Sequence, residues 1–293
     1  MTRLENMEKC YDAIWELDCA DEFKQFIKRM HVFLKNIDKF SLEEIALPNY
    51  LWAARRGFGV TTLIKVLSEY LYLAKAIEFC GTEKSFEFKL DYIPPEQPFS
   101  ELARLDNTIA GYAGYNLFFK GVVCLDIHEW MEHAGEDHFV KLLNYISDNN
   151  DKLLVVFCIR TDEKESIEAV ESAISSHLRV ESLSLQFPEA KEVVELVEKS
   201  YIKNNGFFLT DNAKALLVET VEELAASAHF NGFKTVSNLG EDIMFDVLSR
   251  DIDDNRKISS GMLSYYRKDS AYVKRALVQS GPRRVIGFLG KEV

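Results

Sequence analysis

Apolar residues recur along this chain in two alternating rhythms. Short, nearly continuous apolar runs at Leu47 to Ala53, Val122-Val123-Cys124-Leu125-Asp126 and Leu153 to Ile159 read as buried strands. Ser85 to Tyr92 alternates, with Phe86, Phe88, Leu90 and Tyr92 on one face, and Val180 to Leu185 closes the set. Between these runs the period lengthens to that of a helix: Leu63, Val66, Leu67, Tyr70, Leu71 and Leu73 fall on one stripe of a helix over 61–79. Further helices are expected over 100–118, 138–147 and 161–175. Tyr11, Ile14 and Leu17, then Phe23, Phe26, Ile27, Met30, Phe33 and Leu34, predict two short helices within 7–37. Strands alternating with crossover helices imply an α/β fold: a parallel five-stranded sheet with helices on both faces.

Past Phe187-Pro188 the strand rhythm stops. Helices are expected over 189–203, 211–226 and 234–249, with Pro188 near the first start and Asp211 suited to an N-cap. A last helix is expected over Ser270 to Gln279. The organisation expected is a helical lead-in at 1–40, an α/β core at 41–187, an all-α lid at 188–250 and an extension at 251–293.

Candidate chemistry concentrates where the first strand meets its helix, at Ala54-Arg55-Arg56-Gly57-Phe58-Gly59-Val60-Thr61-Thr62. An intact phosphate loop reads GxxxxGK[ST], in which backbone N–H groups cradle phosphate, the lysine neutralises it and the hydroxyl holds a metal. Gly59 and Thr61 stand in place, but Ala54 replaces the first glycine and Val60 the lysine. Asp126 ends an apolar strand as a metal-binding acid would. Arg160 ends another, at the strand edge where open α/β sheets bind ligands. Two readings stand at Arg160: a phosphate contact, or an ion pair with Asp126 or Asp162. His128, His133 and His138 recur at a five-residue spacing unlike a helical metal pair, and read as surface or loop residues. Asp251, Asp253 and Asp254 lack the glycine and terminal glutamate of a calcium loop and read as a solvated turn. Phe187, Phe207, Phe208 and Phe230 read as packing of the helical lid, with a substrate-binding aromatic patch as the lesser alternative.

Net charge of −12 with no basic block argues against a nucleic-acid partner, because phosphate neutralisation supplies most non-specific affinity. Cysteines at 10, 19, 80, 124 and 158 show no ligand spacing and read as reduced core residues of a cytoplasmic protein. A charged opening that runs directly into amphipathic helix, with no run of 18 apolar residues downstream, predicts no membrane segment.

The order of these elements over roughly residues 10 to 250 resembles an AAA+ ATPase module. The segment Phe230-Asn231-Gly232-Phe233-Lys234-Thr235-Val236-Ser237-Asn238-Leu239 is similar to the lid of the Rubisco-activase-like and sporulation clade. The resemblance implies an ATP or ADP site with magnesium: Arg56, Gly57, Phe58, Gly59, Val60, Thr61 and Thr62 around the phosphates, Thr61 and Asp126 on the metal. Arg160 or Thr161 falls at the strand-end sensor, Lys234 at the lid sensor, and His177 or Arg179 at the arginine finger. Ile127 stands where the family places the water-polarising glutamate. The proline-rich Pro94 to Phe99 stands where the pore loop belongs, and Tyr112-Ala113-Gly114 lies too near the third strand to serve.

Losing one member of a desolvated charge pair costs roughly 2–5 kcal/mol. A general base is worth about 10²–10⁴ in rate, an arginine finger about 10³–10⁵. Three such losses imply no catalytic residues and weak or absent ATP binding. They point to a pseudo-ATPase acting as a structural or regulatory subunit, with ring neighbours, copies of itself or another protein as partners. The alternative is an active remodeller with a rewired loop, drawing its positive charge from Arg55, Arg56 or Lys65 and its carboxylate from Glu129.

Overall fold

The computed structural model describes residues 3–17, 20–40, 47–77, 85–89, 121–133, 136–148, 153–227, 230–250 and 256–278. The expected helix over 100–118, the prolines from 94 to 98, Tyr112 to Gly114, Asp251, Asp253 and Asp254, and Cys19 and Cys80 lie outside them. The chain divides into two compact units, Met1–Gln186 and Phe187–Val293.

In the first unit, helices α1 (Arg3–Trp15) and α2 (Asp21–Phe40) precede the sheet. Helix α2 runs further than the short helix expected, because Phe23, Ile27, Met30 and Leu34 keep one buried stripe along it. The strands are β1 (Asn49–Ala53), β2 (Ser85–Lys89), β3 (Gly121–Asp126), β4 (Leu153–Ile159) and β5 (Val180–Ser184). They pair in parallel in the order β2-β3-β4-β1-β5. Strand β1 lies between β4 and β5, and all five of its residues are buried, which is why Tyr50 to Ala53 read as a continuous apolar run, while the buried Asn49 accepts from the N–H of Val155 at 2.9 Å.

Alternation along β1 divides the core between the two faces of the sheet. Leu51 and Ala53 join Val123, Leu125, Val155 and Phe157 in a cluster closed by α4 (Asp137–Asp148) and α5 (Lys164–Ser175). Trp52 takes edge-on contacts from Phe23 and Phe26 of α2, with ring centroids 5.9 and 6.0 Å apart. Helix α3 (Val60–Leu73) stops well short of residue 79. Lys75 adopts a left-handed φ of 51° and the N–H of Ala76 turns back to the carbonyl of Leu71, which closes the helix end.

Helices α1, α2 and α3 are tied by a buried polar group. His31 Nδ1 lies 2.9 Å from the Tyr70 hydroxyl and its Nε2 lies 3.3 Å from Glu8, while Tyr11 stacks on the imidazole at 4.0 Å. Burial holds His31 below its ordinary pKa, against the pull of Glu8.

The second unit contains α6 (Ala190–Val197), α7 (Asp211–Ala225), α8 (Gly232–Leu248) and α9 (Ala271–Val278). It is not built of helix only, in contrast to the expectation from the apolar pattern. The two-residue strands β6 (Phe208–Leu209) and β7 (Lys257–Ile258) pair in parallel, too short to leave a period in the sequence. The helix expected over 189–203 widens at Glu198–Ile202 into a π-turn. There the buried Glu198 carboxylate meets Lys214 at 2.8 Å and Lys203 at 3.3 Å. Thr210, not Asp211, caps α7, its hydroxyl accepting from the N–H of Ala213 at 3.3 Å. Asp211 instead occupies the first turn, where the helix dipole favours a carboxylate.

Candidate nucleotide-loop site

The loop after β1 has the backbone of an anion cradle. Gly57 and Gly59 take φ of 86° and 79°, which side-chain-bearing residues rarely adopt. Gly59 caps the 14-residue α3, so the first N–H groups of that helix lie at the end of the loop. Phe58 is buried between the two glycines and anchors the turn. The N–H of Ala54 donates to the carbonyl of Ile159 at 3.1 Å, which joins the loop to the end of β4.

Side chains around this cradle pair with one another. Arg55 Nε lies 3.4 Å from the Asp162 carboxylate. Arg56 is exposed and makes no hydrogen bond or ion pair with any other described residue. Val60 is half-buried, whereas Thr61 and Thr62 at the start of α3 are exposed.

Beside the loop, the register of β3 against β4 sets Asp126 opposite Cys158, which brings Arg160 within reach of its carboxylate. The Arg160 guanidinium donates to Asp126 Oδ2, and the backbone N–H of His128 donates to Asp126 Oδ1 at 3.3 Å. His128 Nδ1 in turn accepts from the backbone N–H of Arg160 at 3.3 Å, which leaves Nε2 carrying the proton when the ring is neutral. Asp126, His128 and Arg160 thus close a three-residue ring of contacts. Among the neighbours considered for an ion pair with Arg160, Asp126 is the partner, and Asp162 pairs with Arg55 instead. The spacing of the histidines marks His128 only as a surface or loop residue; the signal for its part in the ring is its place two positions after the strand-end acid.

Ile127 carries the ladder one step further, its N–H donating to the carbonyl of Cys158 at 3.0 Å. Its side chain is buried with Trp130 and Phe139. Glu129 is exposed on the 3₁₀ turn His128–His133, and Lys65 is exposed on α3. Thr161 accepts from the N–H of Glu163 at 3.1 Å at the start of α5. His177 lies 3.0 Å from Asn144, and Arg179 is exposed just before β5. Lys234 belongs to the second unit, exposed in the first turn of α8. In the same unit Phe187 packs edge-on against Phe230 at 4.8 Å and Phe207 is buried, but Phe208 is 52% exposed.

No family model and no curated protein matches this sequence. Among solved structures, that of C. elegans PCH-2, an AAA+ ATPase, matches with a TM-score of 0.53 over 92% of this chain and 71% of that one. The fold is that of an AAA+ ATPase. At 12% identity the likeness extends to the fold and assigns no residue a role.

An AAA+ fold implies ATP chelated to magnesium, and the donors present meet that ligand unevenly. The backbone of Gly57 to Thr61 suits a phosphate group. The side chains do not suit a chelated metal as they stand. Each Asp126 oxygen already accepts a hydrogen bond, one of them from a guanidinium, and Val60 brings no charge to the phosphates. Among the described residues no group of three or more His, Cys, Asp or Glu side chains is placed to hold a metal ion, and no helix is long and apolar enough to cross a membrane.

Proposed function

We propose that this chain is an AAA+-type module that does not hydrolyse ATP and serves as a structural or regulatory subunit through contacts with other proteins. The observation that carries this reading is the Asp126 carboxylate, held by Arg160 on one oxygen and by the His128 N–H on the other. The guanidinium neutralises the charge that a metal would otherwise neutralise. The buried Ile127 supports the same reading, because a packed aliphatic side chain cannot polarise water.

In this reading residues 1–40 are a helical lead-in, 41–187 the core, 188–250 a lid and 251–293 an extension. The module works in the cytoplasm against ring neighbours, copies of itself or another protein, with no nucleic-acid or membrane partner, and holds ATP or ADP weakly at most. The test is turnover by the purified chain with magnesium and ATP. Hydrolysis far below the roughly 1 s⁻¹ floor of ordinary enzymes, unchanged by Asp126→Asn, is expected. Turnover near that floor that vanishes on Asp126→Asn would remove the proposal.

One observation favours a second reading, an active remodeller with a rewired loop. Arg56 stands exposed in the cradle with no hydrogen bond or ion pair to any other described residue, while its neighbour Arg55 is paired. It would supply the phosphate charge that Val60 lacks, with Thr61, Thr62 and the loop backbone beside it. Thr61 and Asp126 would hold magnesium once Arg160 swings away. This reading expects an ATP-dependent rise in melting temperature that Arg56→Ala abolishes; a full rise in that variant rules it out.

A further inference from the structure

At the opposite, amino-terminal edge of the sheet, α2 and the starts of β1 and β5 line a half-open cavity of about 230 Å³. Its floor is apolar. Phe26, Met30 and Phe33 follow one another at i, i+4 and i+7 along α2 and turn a single face toward it. Tyr50 of β1 closes the far side, its ring meeting Phe26 edge-on with centroids 4.9 Å apart and planes at 88°. Phe26, Met30 and Tyr50 are themselves buried in the core, so this wall is fixed by the packing behind it.

The rim is charged, and its charges are not spent on one another. Arg29 from α2 and Arg179 from the residue before β5 border the same cavity, yet neither makes a side-chain hydrogen bond or ion pair with any other described residue. Glu181 borders it too and is likewise unpaired among the described residues; it sits opposite Tyr50 in the β1–β5 register. Two guanidiniums against one carboxylate make a locally basic rim in a chain whose net charge is −12. The Tyr50 hydroxyl has no hydrogen-bond partner among the described residues. Burial, reinforced by Glu181, pushes its pKa up against the pull of Arg179 and Arg29, so it stays protonated and able to donate.

A guanidinium fork matches the two oxygens of a carboxylate, and an aromatic and thioether wall is shaped for a flat apolar group. The volume lies below the roughly 300–1,000 Å³ of pockets for drug-sized ligands, which limits the guest to about one ring and a short acid arm. We propose that this cavity binds a carboxylate carrying one aromatic group, with Arg29 and Arg179 taking the acid, Tyr50 donating to it, and Phe26, Met30 and Phe33 holding the ring. The same chemistry is offered by a free arylalkanoic acid and by the carboxyl-terminal phenylalanine of a peptide.

Isothermal titration of the full chain tests this, using 3-phenylpropionate, its uncharged amide, inorganic phosphate, and the peptide Gly-Gly-Phe as free acid and as amide. An aromatic acid should bind at least about tenfold more tightly than its own amide and than phosphate, the scale of one lost charge-assisted hydrogen bond. Arg29→Ala and Arg179→Ala should each weaken it about tenfold and Tyr50→Phe about threefold. A preference for Gly-Gly-Phe names a chain terminus as the natural guest, a preference for 3-phenylpropionate names a free acid, and either upholds the site. Equal binding of acid and amide overturns it, as does phosphate binding as tightly as the aromatic acids. Unchanged binding by both arginine variants overturns it as well. Should a variant fail to fold, the acid-against-amide comparison on the unaltered chain still upholds or overturns the site.

Discussion

The two ends of the parallel sheet treat charge in opposite ways. At the carboxyl ends of the strands Asp126 is matched by Arg160 and Arg55 by Asp162. At the amino ends Arg29 and Arg179 border an apolar cavity with no charge partner among the described residues. The first end is where open α/β sheets ordinarily place their ligands. There each oxygen of the acid accepts a hydrogen bond from within the chain, and of the two loop arginines Arg55 is paired whereas Arg56 makes no hydrogen bond or ion pair with any other described residue. A site whose charges are satisfied by its own side chains has lost the free energy it would have offered to a ligand, whereas unpaired guanidiniums over a fixed aromatic wall retain theirs. Capacity to bind therefore does not follow from the fold, which is shared with an AAA+ ATPase, but from which charges the local sequence leaves open.

The largest effect that bears on this contrast is expected from Ile127→Glu. A glutamate at this position would place an unpaired carboxylate among Trp130, Phe139 and Leu125, at a cost of about 3 kcal/mol or more. Urea unfolding should show that loss with no gain in ATP turnover; a stable variant that hydrolyses ATP would break the contrast, because the carboxyl-end site would then be one residue short of working. A smaller effect is expected from Arg160→Ala, which strips Asp126 of its main partner. Stability should fall by roughly 1–3 kcal/mol, and millimolar magnesium should now raise the melting temperature. No response to magnesium in a folded Arg160→Ala variant would mean that the acid is unsuited to metal even when released.

The smallest expected effect separates both sheet ends from the helical layer beside them. Because burial lowers the His31 pKa in the folded state, the unfolded chain binds more protons just below the ordinary histidine value. The stability this group contributes is fully present above about pH 6.5 and drains away as pH falls through its lowered folded value. Glu8, lowered chiefly by its hydrogen bond to Lys35, loses its own contribution at still lower pH and in the same direction. Replacing His31 with Gln should flatten the stability curve between about pH 5 and 7. A curve that keeps its slope would place the pH dependence elsewhere in the molecule.

Much of the fold is legible because burial writes period into sequence. Strand β4 is readable from Leu153 to Ile159, and β1 from a run that is apolar on both faces because β4 and β5 flank it. The elements that escape leave no such trace. The pair β6 and β7 is two residues long, the π-turn at Glu198 goes with a carboxylate reaching two lysines, and α3 ends on a left-handed lysine where a propensity reading continues the helix. At the site, the glycines and the missing lysine are plain in the order of letters from Ala54 to Thr62. The role of His128 is not, because it depends on the alignment of two strands well apart in the chain, β3 ending at Asp126 and β4 beginning at Leu153.

By itself the sequence determined the local terms. These are the α/β alternation, the glycines that precede a helix, and the absence of a lysine at residue 60 and of an acid at residue 127, since each depends on neighbours along the chain. Only the tertiary structure decided which charges cancel. Whether Arg160 faces a phosphate or Asp126, and whether Arg29 and Arg179 stand alone or paired, rests on strand register and helix placement. Electrostatic interaction between side chains falls with distance through space, which the order of residues does not record.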